Sequence, residues 1–208
     1  MDLEKLFKPK SMCVVGISKK NPLSPGRIVL LKNEFEMQVK VYGIYPSAGE
    51  IEGIQLYKRL DKLPDIPDLL VIAVGPDDTL GYIQDCADLE IPAAVIIGGG
   101  FAEIGGKGKK RQEKLVEIAF NNDIAVLGPN CLGVYAPPLV DTIFLPTERI
   151  TKPPKGSVAL ISQSGGVLVD QFFVKFNERN IGVSTAVSIS NRAVVDEAML
   201  LEYFSKVF

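Results

Sequence analysis

At 208 residues, with a formal net charge of −2 and 47 % apolar residues, the chain reads as an ordinary globular sequence of one large or two small domains. It has no basic stripe to hold nucleic acid and no apolar run of membrane-spanning length. It contains no histidine, which excludes a Ser–His–Asp triad, a Cys–His pair, a histidine-bound metal and a phosphohistidine within these residues.

Residues 3–6 are expected to form a short helix stopped near Pro9. The charged start, Met1-Asp2-Leu3-Glu4-Lys5, lacks a signal-peptide core, and three cysteines at scattered spacing argue against a disulfide framework. Both point to a reducing, cytoplasmic setting. Ser11-Met12-Cys13-Val14-Val15 is an apolar run ending at Gly16, and a polar loop leads to Ser24-Pro25-Gly26-Arg27. Ser24 suits an N-cap and Pro25 the first helical position; Ile28, Leu31 and Phe35 give the predicted helix an apolar face. A strand, loop and helix in this order bring free backbone N–H groups to the carboxyl edge of an open parallel sheet, where they attract an anion. G-x-G-x-x-G is absent, and Ile44-Tyr45-Pro46-Ser47 supplies no carboxylate for a ribose, so a nicotinamide dinucleotide fits poorly. Gly16, Lys19, Lys20, Arg27 and the hydroxyls of Ser18 and Ser24 suit a nucleotide with several phosphates. The same spacing also fits an ordinary βα turn with solvated lysines.

Residues 39–45 alternate enough for a second strand, broken at Pro46-Ser47-Ala48-Gly49. A loop or short helix is expected through Tyr57-Lys58-Arg59-Leu60. Residues 69–74 are continuously apolar, as in a buried parallel strand. Asp77 and Asp78 open a helix and oppose its dipole, with Leu80, Ile83 and Ala87 inward. Residues 92–97 form a fourth strand ending in Gly98-Gly99-Gly100, which means unusual backbone angles, close approach by a ligand, or merely a flexible turn. A helix over 109–122, with Leu115, Ile118 and Ala119 inward, and a strand over 124–128 follow. The alternation predicts an α/β fold with a doubly wound parallel sheet over residues 1–135.

Prolines at 137, 138, 146, 153 and 154 make residues 136–156 read as an extended connection. The pattern then restarts: a strand over 157–162, the turn Gln163-Ser164-Gly165-Gly166, and a helix with Val167, Leu168, Phe172 and Phe176 apolar. A strand over 182–190 and a helix over 195–208, with Leu200, Leu201 and Phe204 apolar, complete it. Two strands and two helices make a partial lobe over 157–208, with Phe208 as a truncation point. The apolar faces of Phe172, Phe173, Phe176, Leu201 and Phe204 are expected to dock on the first domain, on another copy or on a continuation. Cys13 and Cys86 read as small core residues, and Cys131 as a packed loop thiol with no histidine to activate it.

Five motifs occur in order: Leu6-Phe7-Lys8-Pro9, Gly49-Glu50-Ile51-Glu52-Gly53, Gly100-Phe101-Ala102-Glu103-Ile104-Gly105, Gly128-Pro129-Asn130-Cys131-Leu132-Gly133 and Ser162-Gln163-Ser164-Gly165-Gly166. Together they resemble the CoA-binding, alpha-type half of the ADP-forming (NDP-forming) acyl-CoA synthetases; the succinyl-CoA synthetase alpha subunit is a more distant relative. The resemblance covers nearly the whole chain. It implies a Rossmann-like CoA-binding domain followed by the start of a flavodoxin-like (ligase-CoA) domain. It implies coenzyme A or acyl-CoA as ligand, in a reaction that converts acyl-CoA, ADP and phosphate to acid, ATP and CoA through a phosphohistidine. The implied CoA contacts are Gly16, Ser18, Lys19, Ser24, Gly26, Arg27, Ser47, Ile97, Gly98, Gly99 and Asn130. A helix start at Ser162, Ser164 and Gly165 would face the phosphohistidine, although Ser164 also reads as a plain N-cap. No catalytic residue and no metal ligand are expected here. The implied partner is a beta-type nucleotide-grasp subunit or further C-terminal domains, with self-association left open, and neither nucleic acid nor membrane.

The chain also departs from that pattern. Tyr45-Pro46-Ser47 stands where Asn-Pro-Lys is usual, which removes one phosphate contact. Val74-Gly75-Pro76 replaces Val-Pro, and Ser188-Ile189-Ser190-Asn191 lacks a glycine at 190. With the histidine segment and nucleotide-grasp parts outside this sequence, the chain is expected to be inactive alone. The alternative is a non-catalytic CoA- or acyl-CoA-binding regulatory module.

Overall fold

The computed structural model describes residues 1–207; Phe208, the expected truncation point, lies outside the described residues. The apolar runs become β1 (Ser11–Val15), β5 (Leu69–Ile72), β6 (Ala93–Ile96) and β7 (Ala125–Leu127), joined by parallel pairing to β2 (Lys40–Ile44). A parallel strand covered on both faces sends alternate side chains to opposite layers. Met12 and Val14 accordingly pack with α1 (Glu4–Phe7) and α2 (Pro25–Glu36). Cys13 and Val15 pack in the opposite layer, with α3 (Pro76–Asp88) and α4 (Gly106–Asn121).

The stretch from Gly49 to Tyr57, expected as part of a loop, is instead a hairpin, while the expected short helix appears as a 3-10 turn at Leu60–Lys62. β3 (Gly49–Ile51) and β4 (Ile54–Tyr57) pair antiparallel, and β4 adds in parallel to β2. The hairpin alternates, burying Ile51, Ile54 and Leu56 between exposed polar residues. The sheet order is β3-β4-β2-β1-β5-β6-β7. Chain direction across the sheet therefore reverses between β1 and β5, the place where an open α/β sheet has a crevice at its carboxyl edge.

A second, four-stranded sheet has the order β10-β11-β8-β9. Its members are β8 (Gly133–Ala136), β9 (Val140–Asp141), β10 (Lys155–Ser162) and β11 (Val183–Ser188). β10 and β11 are parallel, while β11–β8 and β8–β9 are antiparallel. The proline-rich stretch is thus more than a connection, because it supplies the outer strand β9. A π-helical turn, Val167–Phe173, runs into α5 (Val174–Glu178), and α6 (Glu197–Val207) ends the described chain.

Three helix faces differ from expectation. In α2 the inward stripe is Gly26, Val29, Leu30 and Asn33, while Phe35 is 65 % exposed. Polar residues belong to this buried face because they hold β9. Asn33 Nδ2 donates to Asp141 O at 2.7 Å, and Asp141 N donates to Asn33 Oδ1 at 2.9 Å. The Asp141 carboxylate sits between Lys32 Nζ (3.1 Å) and Lys152 Nζ (2.8 Å). Burial lowers the pKa of Lys32, and Asp141 offsets part of that. In the π-helical turn Leu168, Val169 and Phe173 face inward, whereas Val167 and Phe172 are exposed. In α6 Leu200 and Phe204 are buried and Leu201 is exposed.

The aromatic residues of the second half divide accordingly. Phe173 packs on Tyr135 at 5.5 Å within the second sheet's own core. Phe204 packs on Phe7 at 5.3 Å, and Tyr203 stacks on the same ring at 5.2 Å, so α6 docks on α1. One apolar cluster runs from Leu6, Met12 and Leu30 through Val134 and Val187 to Leu200 and Phe204. No helix among the described residues is long and apolar enough to cross a membrane.

Candidate functional site

Strand ends place the loops. After β1 the chain turns at Gly16, whose φ is +87°, and a Cβ there would lie 2.1 Å from Ala73 O, so only glycine fits. Gly26, at the start of α2, packs directly on this turn; its Cβ would lie 2.6 Å from Gly16 O. Ser24 holds the N-cap position, but its hydroxyl does not cap α2. It accepts the Ser18 N–H at 3.3 Å, while Ser18 Oγ accepts the Asn21 N–H at 3.0 Å. The two serines thus shape the loop itself.

A cleft of about 1230 Å³ opens beside this turn. Its walls are Gly16 and Ile17 after β1, Tyr45, Pro46 and Ser47 after β2, Lys58 and Arg59 after β4, Val74 after β5, and Asp77, Asp78 and Tyr82 of α3. It occupies the crevice that the sheet order predicts. The far wall is acidic, with Asp61, Asp85 and Asp88 also lining it. Burial, reinforced by Asp88, raises the Asp85 carboxyl.

The residues expected in one phosphate site separate into groups. Gly16 and Ser47 line the cleft. Lys19 reaches across its lip, donating to Ala48 O at 2.9 Å with its ammonium 4.8 Å from the centre of the Tyr45 ring. Arg27 lies outside the cleft lining. It donates to Lys19 O at 3.2 Å and pairs with Glu52 at 2.8 Å, tying the loop to the β3–β4 hairpin. Ile97 is a core residue at the end of β6. Gly98 is glycine because a Cβ would lie 2.4 Å from Val74 O. Asn130 N donates to Gly98 O at 3.0 Å, and the Asn130 side chain stands beside Gly99.

The Gly98–Gly100 turn is held by Glu103. Its carboxylate accepts the N–H groups of Gly100 and Phe101 and the amide of Asn191 from the far side of β11. Burial raises its pKa, but the Asn191 bond and the backbone donors outweigh burial and leave it lowered. Ser162 Oγ donates to Ser164 O at 2.8 Å, and Ser164 Oγ accepts the Val167 N–H at 3.4 Å, as an N-cap does. Gly165 packs against Leu132, whose Cβ would be 2.6 Å from an added methyl. Cys131 is buried, donates to Ile96 O at 3.3 Å and is pushed up to about 12 by burial, so it is an inert packed thiol. No group of acidic, cysteine or histidine side chains that could hold a metal ion occurs among the described residues.

Sequence reading missed Lys58, Arg59, Tyr82, Asp85 and Asp88. The signal for the first two was the alternation Ile51, Ile54, Leu56, which makes a strand ending at Tyr57 and delivers residue 58 to the cleft.

Residues 10–137 match the family model described as a CoA binding domain. The chain belongs to the CoA-binding domain family. Residues 155–207 match a succinyl-CoA ligase like flavodoxin domain. The chain is 37 % identical to the acetate–CoA ligase [ADP-forming] I subunit alpha of Pyrococcus furiosus, across 98 % of this chain and 44 % of that subunit. It is 36 % identical to the acetate–CoA ligase [ADP-forming] of Methanocaldococcus jannaschii, across 98 % of this chain and 28 % of that protein. The solved structure of a dinucleotide-forming acetyl-coenzyme A synthetase from Ca. Korarchaeum cryptofilum superposes with a TM-score of 0.86 at 36 % identity, covering 99 % of this chain and 43 % of that one. The chain therefore spans less than half the length of each of these relatives, and corresponds to the CoA-binding portion of ADP-forming acyl-CoA ligases. The family match takes in the whole first sheet, with every strand end that lines the cleft.

Proposed function

We propose that the cleft at the carboxyl edge of the first sheet binds CoA or acyl-CoA. We propose that the chain serves as the CoA-binding portion of an ADP-forming acyl-CoA ligase, which converts acyl-CoA, ADP and phosphate to acid, ATP and CoA. The observation that carries this reading is the position of the cleft. It sits at the β1–β5 reversal, walled by Gly16, Tyr45, Ser47 and Val74, inside the segment that matches the CoA-binding family.

The residues fit such a ligand. The Gly16–Ser18 backbone and Lys19 lie where a diphosphate needs donors and a cation. Ser24 and Gly26 hold that loop in shape, and Arg27 secures it to the hairpin. Tyr45 and Tyr82 offer flat apolar walls to a base. A thin pantetheine arm would pass the Ile97–Gly98–Gly99 turn, whose two glycines add no side chains of their own and which Asn130 holds. Ser162 at the end of β10, with Ser164 and Gly165 just before the π-helical turn, would face a phosphorylated histidine. The 208 residues contain no histidine, so that group must come from polypeptide outside them, on a nucleotide-grasp partner or a further domain. The division of labour is then a CoA-binding unit over 1–135 and a ligase-type unit over 157–208. Buried, unpaired cysteines suit a cytoplasmic setting.

Calorimetric titration with CoA and with NAD tests the reading. CoA gives saturable heat and NAD gives none, because no carboxylate follows β2 to hold a nicotinamide dinucleotide's ribose. Heat with NAD and none with CoA would overturn it.

A further inference from the structure

The family resemblance expects a lysine at position 47, and the chain has serine there. Without that lysine the cleft needs another cation for a second phosphate, since its far wall carries Asp61, Asp85 and Asp88. Nearby cations are mostly engaged. Lys19 is taken up by the diphosphate, Arg27 pairs with Glu52, and Arg59 Nε donates to Asp61 at 3.0 Å. Lys58 lines the same cleft and has no hydrogen-bond or ion-pair partner among the described residues.

Strand register puts Lys58 beside the residue it would replace. β2 and β4 are parallel, with Ile44 opposite Tyr57, and Tyr45 N donates to Tyr57 O at 2.8 Å. Both strands release their chains at one edge of the sheet, so Lys58 and the Tyr45–Ser47 turn emerge side by side. β4 lies two strands from β1, which at about 4.8 Å per strand sets Lys58 roughly 10 Å from the Gly16 turn. A diphosphate held at Gly16 does not extend that far, and a separate phosphate on the ribose does.

We propose that Lys58 holds the ribose phosphate of CoA, the cation having moved from the loop after β2 to the loop after β4. This rests on the CoA reading above. Lys58 then makes the cleft prefer CoA over dephospho-CoA, which differs only in lacking the 3′-phosphate. Asp61 acts alongside it by occupying Arg59, which leaves Lys58 as the cation of the cleft lining without a partner among the described residues.

Titrations of the parent chain, Lys58→Ala and the double variant Lys58→Ala/Ser47→Lys with CoA and dephospho-CoA test this. The parent binds CoA more tightly than dephospho-CoA. Lys58→Ala weakens CoA by about ten-fold, as for loss of one hydrogen bond to a charged group, and leaves dephospho-CoA unchanged. Ser47→Lys in that background restores the preference. Equal weakening toward both ligands, or no weakening toward CoA, overturns the inference. Equal affinity of the parent for the two ligands overturns it while the CoA reading stands. Binding of neither ligand overturns both.

Discussion

Single residues set the shape of the loops, and Glu103 shows how. It is an exposed carboxylate, yet it gathers the Gly100 and Phe101 N–H groups and the Asn191 amide around one turn. Gln112 braces the same point, accepting from Ala102 N at 3.2 Å and from Asn191 Nδ2 at 3.1 Å. The turn after β6 and the loop after β11 are thus tied through one side chain. Its folded pKa lies below the 4.5 of a free glutamate. Its contribution to stability is therefore present above pH 4.5 and is lost as the pH falls through the lower folded value. Glu103→Gln should be less stable than the parent at pH 7, and urea midpoints of the two should converge as the pH drops below 4.5. A gap that stays constant down the whole acid range would show that the charge is irrelevant there.

At the scale of elements, the join between α2 and β9 is made by polar groups. Lys32 and Asp141 are both buried, and Lys152 and Asn33 complete the set. Breaking a buried ion pair on one side leaves an uncompensated charge. Asp141→Asn should cost about 3–5 kcal/mol in urea unfolding, whereas Lys32→Met with Asp141→Leu together should cost much less. A loss below about 1 kcal/mol for Asp141→Asn would mean that the pair is solvated like a surface bridge. This join also explains what the sequence hid. Continuous apolar runs made β1, β5, β6 and β7 legible, and Gly16 with Pro25 made the first loop and helix start legible. The face of α2 was misread because Lys32 and Asn33 look like solvent residues until β9 supplies their partners. The β3–β4 hairpin was missed because it is short and mostly polar. With it went Lys58, and the reason Lys19 and Arg27 are already engaged.

At the scale of the molecule, the two sheets act as one body. A single apolar cluster joins α1, α2, β8, β11 and α6, and Phe204 sits on Phe7. Asn191, Ala193 and Val195 each donate to a carbonyl of the segment from Val126 to Pro129, which zips the chain before α6 onto the end of β7. The first sheet thereby keeps its carboxyl edge open on the cleft, with the second sheet packed beside it. Amide hydrogen exchange with and without saturating CoA tests this account most directly. Bound CoA should slow exchange at residues 16–19, 45–48, 58–61 and 74–78, the loops that wall the cleft, and saturating NAD should leave them unchanged. Protection confined to other surfaces, or the same protection with NAD, would contradict the assignment of this cleft to CoA.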